Sequence, residues 1–242
     1  MKALMISLLM VVSLPALAQK AFVTDTIQTS AGKLEITFIG HGTLMFKFGD
    51  RIVHVDPVSR EADYNRFPKA DLILVTHEHG DHLDPKATEA IKTDHTTLIV
   101  TERCYEKINA GIVMKNGQIR SFGAITIEAV PAYNIVHKRD SGQPFHPKGE
   151  GNGYVITFGD KRVYVAGDTE NTPEMKALKK IDIAFLPMNL PYTMTPEMVA
   201  DAAKAFPPKI LHPYHYGSTD PNQLIELLKT EKDIEVRIRS MK

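Results

Sequence analysis

The chain has 242 residues, 43% hydrophobic and 24% charged, with 29 basic and 29 acidic side chains. This is enough apolar material for a sizeable core and too ordinary a composition for a disordered chain, and the even charge balance argues against a dedicated nucleic-acid binder, which carries a basic excess. One cysteine excludes a disulfide framework and a cysteine-built zinc site, so any metal must be held by the ten histidines and the carboxylates.

Residues 1–18 read as a secretory signal, with Lys2 as its positive start, an apolar run, Pro15 as a break, and Ala16-Leu17-Ala18 as a cleavage site. The run, about 12 residues, is too short to span about 30 Å of hydrocarbon. No cysteine follows the cleavage site, so no lipid anchor is expected. Residues 19–242 are then one domain, in the periplasm or secreted, with no stable membrane anchor. The lone Cys104 is expected as a small buried side chain.

Short β-branched or aromatic runs predict strands at 34–38, 44–48 and 51–55, the last two joined by a Gly49-Asp50 turn. Residues 72–76 form a continuous apolar run, as in a strand buried on both faces. Asp84-Pro85 predicts a helix to about Lys92, with Asp84 as N-cap. Further helices are predicted at 102–110, 172–178, 196–205 and 221–229. The segment 134–152 is a long loop rich in Gly, Pro, Lys and His, and loops of that length inside a domain are usually functional.

The second half of the chain echoes the first. Phe48-Gly49-Asp50-Arg51-Ile52-Val53-His54-Val55 is matched by Phe158-Gly159-Asp160-Lys161-Arg162-Val163-Tyr164-Val165, and Lys69-Ala70-Asp71-Leu72-Ile73 by Lys180-Ile181-Asp182-Ile183-Ala184, at offsets of 110 and 111 residues. Two similar β-rich halves with helices outside predict an α/β fold, a four-layer αββα sandwich.

The strongest chemical signal is Thr76-His77-Glu78-His79-Gly80-Asp81-His82, directly after the buried strand. Nitrogen and oxygen donors in this density suit zinc, iron or manganese. Alternation puts His77 and His79 on one side of an extended chain. Gly80 lets the backbone turn, so that Asp81 and His82 address a second ion.

On these residues the chain resembles the metallo-β-lactamase superfamily, over essentially all of 19–242. Gly40-His41-Gly42 and Val55-Asp56-Pro57 resemble landmarks of its ascorbate-phosphate-lactonase-like branch. Ala166-Gly167-Asp168-Thr169 resembles the segment whose aspartate bridges two metals, and Pro213-Tyr214-His215-Tyr216-Gly217 the segment carrying the last histidine ligand. The resemblance implies that His77 and His79 bind a first metal, that Asp81, His82 and His215 bind a second, and that Asp168 bridges them. It also places Asp56 behind a ligand histidine, holding its other ring nitrogen.

The departure concerns the third ligand of the first metal. The superfamily usually places a histidine where this chain has Pro131-Ala132-Tyr133-Asn134. The nearest histidines, His137 and His146, both lie in the long loop; the Gly-rich context of His146 favours it as the ligand, with His137 as the alternative. His54, His95 and His212 are expected to be structural, and His41 structural or lining the pocket.

The implied function is an exported hydrolase with two divalent ions, most readily Zn²⁺, with Mn²⁺ or iron as alternatives. A metal-bound hydroxide would cleave an ester, lactone, amide or phosphoester bond of a small-molecule substrate. Asp81 or Asp168 would take up a proton. Residues 189–194 are expected to line the pocket, and Arg139 and Lys148 to offer charge to an anionic group. Two other readings remain open: an iron-dependent oxygen or sulfur enzyme on the same fold, and a non-catalytic metal-binding protein. The sequence leaves the oligomeric state open.

Overall fold

The computed structural model describes residues 21–242, so the predicted leader, 1–18, lies outside the described residues. Strands β1 (Val23–Thr29), β2 (Gly32–Gly40), β3 (Thr43–Phe48) and β4 (Arg51–Val55) pair antiparallel in sequence order. Strands β5 (Leu72–Leu74), β6 (Thr97–Val100) and β7 (Ile112–Val113) extend the same sheet in parallel.

The second sheet repeats this plan. Strands β8 (Ile119–Phe122), β9 (Ile125–Ala132), β10 (Gly151–Phe158) and β11 (Lys161–Val165) are antiparallel. Strands β12 (Ile183–Pro187), β13 (Ile210–Tyr214) and β14 (Glu235–Val236) follow in parallel. The repeat read from two short sequence matches is thus a repeat of whole sheets. The β3–β4 hairpin corresponds to the β10–β11 hairpin.

The sheets pack face to face, and aromatic rings knit them together. Phe46 of the first sheet lies 5.6 Å from Phe158 and 6.2 Å from Phe185 of the second, between ring centroids. The two-residue period of a strand sorts side chains between layers. Leu72, Leu74 and Ile99 enter the core between the sheets. Ile73, Val75, Leu98 and Val100 face the other way and pack with Ala87 and Ile91 of α1 (Pro85–Ile91) and Cys104 of α2 (Glu102–Ile108). Beyond the second sheet, α3 (Pro173–Lys176), α4 (Pro196–Ala205) and α5 (Gln223–Leu227) bury Met175, Val199 and Leu224. The order helix, sheet, sheet, helix is the expected four-layer sandwich. Among the described residues no helix is long and apolar enough to cross a membrane.

Element ends differ from expectation for local reasons. The strand predicted at 72–76 stops at Leu74. Val75 still donates to the Ile99 carbonyl, at 3.0 Å, but the Thr76 amide turns to Asp56 Oδ1, at 2.8 Å, so the chain leaves the sheet as the histidine string begins. The helix expected to reach Ala110 ends at Ile108, because Asn109 takes a left-handed conformation and caps it. The helices expected at 172–178 and 221–229 shrink to α3 and α5, while α4 has the predicted bounds. Asp84 caps α1 as expected, accepting from the Lys86 and Ala87 amides.

Cys104 is fully buried beneath α2, and burial pushes its thiol up to about 11. The folded protein is therefore expected to resist iodoacetamide at pH 7.5 and to be alkylated only in denaturant. Rapid labelling of the native chain, read by intact mass, would show that α2 opens readily.

Candidate metal centre

The centre is assembled by chain segments leaving strand ends in both halves. After β4, Asp56 stands in a left-handed conformation, φ 47°, fully buried. Its carboxylate accepts from the Thr76 amide and hydroxyl, at 2.8 and 2.7 Å, and from His82 Nδ1 at 2.8 Å. That contact puts the proton of His82 on Nδ1 and leaves Nε2 to face Asp168 Oδ1, 3.3 Å away. The turn carrying Asp168 depends on Gly167, whose φ is 66°. A Cβ there would come within 2.9 Å of the Asn152 carbonyl oxygen and 3.0 Å of Thr76 Cβ, so only glycine fits.

Around Asp168 the other predicted residues converge. Its Oδ2 lies 3.3 Å from His146 Nε2, 3.4 Å from His215 Nε2 and 3.9 Å from His77 Nε2. His77 Nε2 and His79 Nδ1 are 3.1 Å apart. Asp81 Oδ2 lies 3.7 Å from His215 Nε2. Three donor groups result, with ligand atoms all within 4.8 Å of one another in each: His77, His79 and His146; His77, His82 and Asp168; and His41, Asp81, His82 and His215. All seven residues singled out in the sequence stand together, and His41 joins them. His137 does not: its Nδ1 lies 2.7 Å from Glu170 Oε1.

The electrostatics of the cluster are those of donors short of positive charge. Burial drives His77 well below the ordinary histidine range, and the charge of His82 adds to the effect. Burial lowers His79 as well. Burial also opposes charge on His82, but Asp168 and Asp56 outweigh it and raise His82 to about 9. Both Asp81 and Asp168 would be raised by burial. His215 and His41 hold Asp81 far below the usual carboxylate range, and His215 and His82 do the same for Asp168. The cluster thus borrows protons to neutralise carboxylates. His82 Nε2, Asp168 Oδ1 and both ring nitrogens of His215 are buried without a hydrogen-bond partner. Buried polar atoms are almost always satisfied, so orphans converging in one place mark where cations belong. The donor set fits divalent metal ions.

Two residues that shape the centre were not singled out in the sequence. Asn134 Oδ1 accepts from both the backbone amide and Nδ1 of His146, at 2.9 and 2.7 Å. His146 thereby keeps Nε2 bare and aimed inward. Glu170 is fully buried and accepts from the Ile135, Val136 and His137 amides, each at 2.7 Å, and from the Asn134 side-chain amide at 3.1 Å. Burial would raise its carboxyl, and these donors outweigh burial and lower it. The start of the long loop is gathered on this one carboxylate. Asn134 stands where the superfamily usually has its histidine, and that coincidence was the available signal for it.

A cavity of about 450 Å³ opens over the cluster, with Asp81, His146, Asp168 and His215 in its lining. Asn189 and Tyr192 of the 189–194 segment complete it with Phe145 and Arg139. Arg139 lies over the Phe145 ring, 5.2 Å from its centroid. Lys148 is committed elsewhere, 2.7 Å from Glu174 and over the Tyr133 ring. His212 is held by the Arg237 carbonyl and stacked on Phe185, His54 is buried between Tyr64 and Phe67, and His95 is exposed in a turn, so none of the three belongs to the centre.

Comparison with known proteins shows the family. Residues 35–215 match the family described as beta-lactamase superfamily domain. A UPF0173 metal-dependent hydrolase of Pelotomaculum thermopropionicum is 28% identical over 222 residues, covering 86% of this chain and 97% of the relative. A crystal structure of a protein from Parabacteroides distasonis, named for metal-dependent hydrolysis, is 52% identical with a TM-score of 0.88, over 92% of this chain and 100% of that one. A metallo hydrolase from Ignicoccus hospitalis shares the fold, with a TM-score of 0.70 at 24% identity over 85% of this chain and 94% of that one. The two repeated sheets, the histidine-rich cluster at their joined end and these matches place the chain in the metallo-β-lactamase superfamily, among relatives named as metal-dependent hydrolases.

Proposed function

We propose that the chain is a metal-dependent hydrolase that holds two divalent ions and cleaves an ester, lactone, amide or phosphoester bond of a small molecule. The observation that carries this reading is the position of Asp168, within 4 Å of imidazoles belonging to two separate donor groups. His77, His79 and His146 would hold one ion, and Asp81, His82 and His215 the other, with Asp168 between them. Two such ions supply Lewis acidity toward a substrate oxygen and lower the pKa of a shared water from about 15.7 to about 7.

The chain's own residues do the rest. Asp56 and Asn134 fix the ring orientation of His82 and His146. Asp81, facing the cavity, is placed to accept a proton from the attacking water and pass it to the leaving group. Phe145 and Tyr192, 5.0 Å apart in an edge-to-face pair, wall the substrate and exclude water. Arg139 offers a cation to an anionic part of it. Zinc is the ion this nitrogen-rich set favours, and the pattern of residues 1–18 supports export to the periplasm or beyond.

The test joins metal analysis to a substrate screen. Protein purified without chelator is expected to carry about two divalent ions per chain by plasma mass spectrometry. It should hydrolyse at least one class of chromogenic ester, lactone or phosphoester, lose that activity to EDTA and regain it with zinc. Failure to bind metal after reconstitution would sink the reading. One bound iron with a visible absorption band would redirect it to oxygen chemistry.

A further inference from the structure

The superfamily motif leaves His41 out of the metal ligands, yet the structure gives this residue an unusual pair of neighbours. Its Nδ1 lies 3.0 Å from the Lys242 carbonyl oxygen and its Nε2 lies 3.2 Å from Asp81 Oδ2. A carbonyl oxygen only accepts, and so does an ionised carboxylate. Both ring nitrogens of His41 therefore face acceptor oxygens, Nδ1 the Lys242 oxygen and Nε2 the Asp81 carboxylate, an arrangement that a cation shared between Nε2 and Asp81 Oδ2 satisfies.

The surroundings favour a shared metal ion. The His41 ring lies against that of His215, with centroids 3.7 Å apart. His41, Asp81, His82 and His215 each present one ligand atom within 4.8 Å of the others. Donors about 2.0–2.2 Å from one ion at tetrahedral angles stand about 3.3–3.6 Å from each other, close to the 3.2 and 3.7 Å separations of Asp81 Oδ2 from His41 and His215. The backbone is built for this approach. His41 is left-handed, φ 51°, and its carbonyl accepts from the His215 amide at 3.1 Å. A Cβ on the next residue, Gly42, would lie 2.7 Å from His82 Cε1, so glycine is what lets the turn close against the centre.

We propose that His41 Nε2 is a further ligand of the second ion, completing a set with Asp81, His82 and His215. This rests on the metal-binding part of the function proposed above. The second ion would then have one more protein ligand than the first, apart from Asp168, which lies near both groups, and would be the more firmly anchored of the two.

The experiment is magnetic resonance of the full chain loaded with ¹¹³Cd and labelled with ¹⁵N-histidine. A scalar coupling between cadmium and a ring nitrogen reports a direct bond. Six histidines are expected to show one: His41, His77, His79, His82, His146 and His215. His41→Asn, a residue tolerant of the left-handed region, should remove one coupling. It should also weaken the more tightly held cadmium by about 10²-fold, about 2.7 kcal/mol. Only five couplings in the parent, all of them unchanged in His41→Asn, would overturn the proposal and make His41 a partner of Asp81 alone. No coupling at any histidine would overturn it together with the metal centre itself.

Discussion

Exchanging Asp168 for asparagine is expected to disable the centre while leaving the fold standing. The side chain keeps its size but loses its charge. One of its oxygens becomes an NH₂ group, placed against the ring nitrogens of His82, His146 or His215, which lie 3.3–3.4 Å from the carboxylate. A donor would then face atoms whose task is to donate electron pairs. Hydrolysis should fall by about 10³-fold, within the range lost when a general acid–base group is removed, and bound metal should drop below half that of the parent. Circular dichroism should match the parent, because asparagine keeps the size and shape of the aspartate. Parent-like metal content and activity would show that the two donor groups work independently.

The second large effect is expected at a residue that faces no metal. Glu170→Ala and Glu170→Gln should both loosen the loop that carries His146. Each carboxylate oxygen serves more than one donor: Oε1 accepts from the His137 amide and Asn134, and Oε2 from the Ile135 and Val136 amides. Alanine leaves three part-buried backbone amides without an acceptor. Glutamine is the sharper test, since in either orientation its NH₂ meets N–H groups. Unsatisfied buried donors cost about 1–3 kcal/mol each, so a loss of about 3 kcal/mol is expected, or roughly 6–12 °C in Tm for a chain of this size. The chemical effect should be selective. Asn134 would keep the Tyr192 carbonyl but lose Glu170, His146 would be held less firmly, and the ion held with His77 and His79 should be lost before its neighbour. Equal loss of both ions, by plasma mass spectrometry at graded chelator, would mean that Glu170 supports the fold and not that one ligand.

The legible part of the site was the part written contiguously. Thr76 to His82 concentrates three imidazoles and an aspartate in one turn, and no packing argument accounts for such a string. Asp168 and His215 stood in short segments with recognisable surroundings, and His146 in a Gly-rich frame. Illegible were residues whose meaning exists only in three dimensions. Asn134 and Glu170 are ordinary polar letters, and their pairing joins positions 36 residues apart across a loop. His41 carried no local signal beyond its flanking glycines, because its partners Asp81 and Lys242 are distant in sequence.

The same contrast runs through the fold. Apolar runs announced β3, β4 and β5. The first strand, β1, reads Val-Thr-Asp-Thr-Ile-Gln-Thr and lies at a sheet edge with only alternate residues half-buried. Strands of two residues such as β7 and β14 exist because a sheet edge accepts them, and their own composition carries no such instruction.

The duplicated frame has a consequence for His82. Asp56 follows β4 directly and Asp168 comes three residues after β11, so the closing strands of matching hairpins each lead to a carboxylate of the centre. Asp56 grips His82 at Nδ1, 2.8 Å away, and Asp168 faces the same ring at Nε2, 3.3 Å away. One imidazole is thus caught between counterparts that have taken opposite duties, one as a bearing and the other as a working surface. Neither half alone owns both sides of that ring. Loading of the centre therefore reports that the halves have docked in register, and a chain whose sheets slipped against each other would lose Asp168 from the Nε2 side of His82 while Asp56 kept its grip on Nδ1.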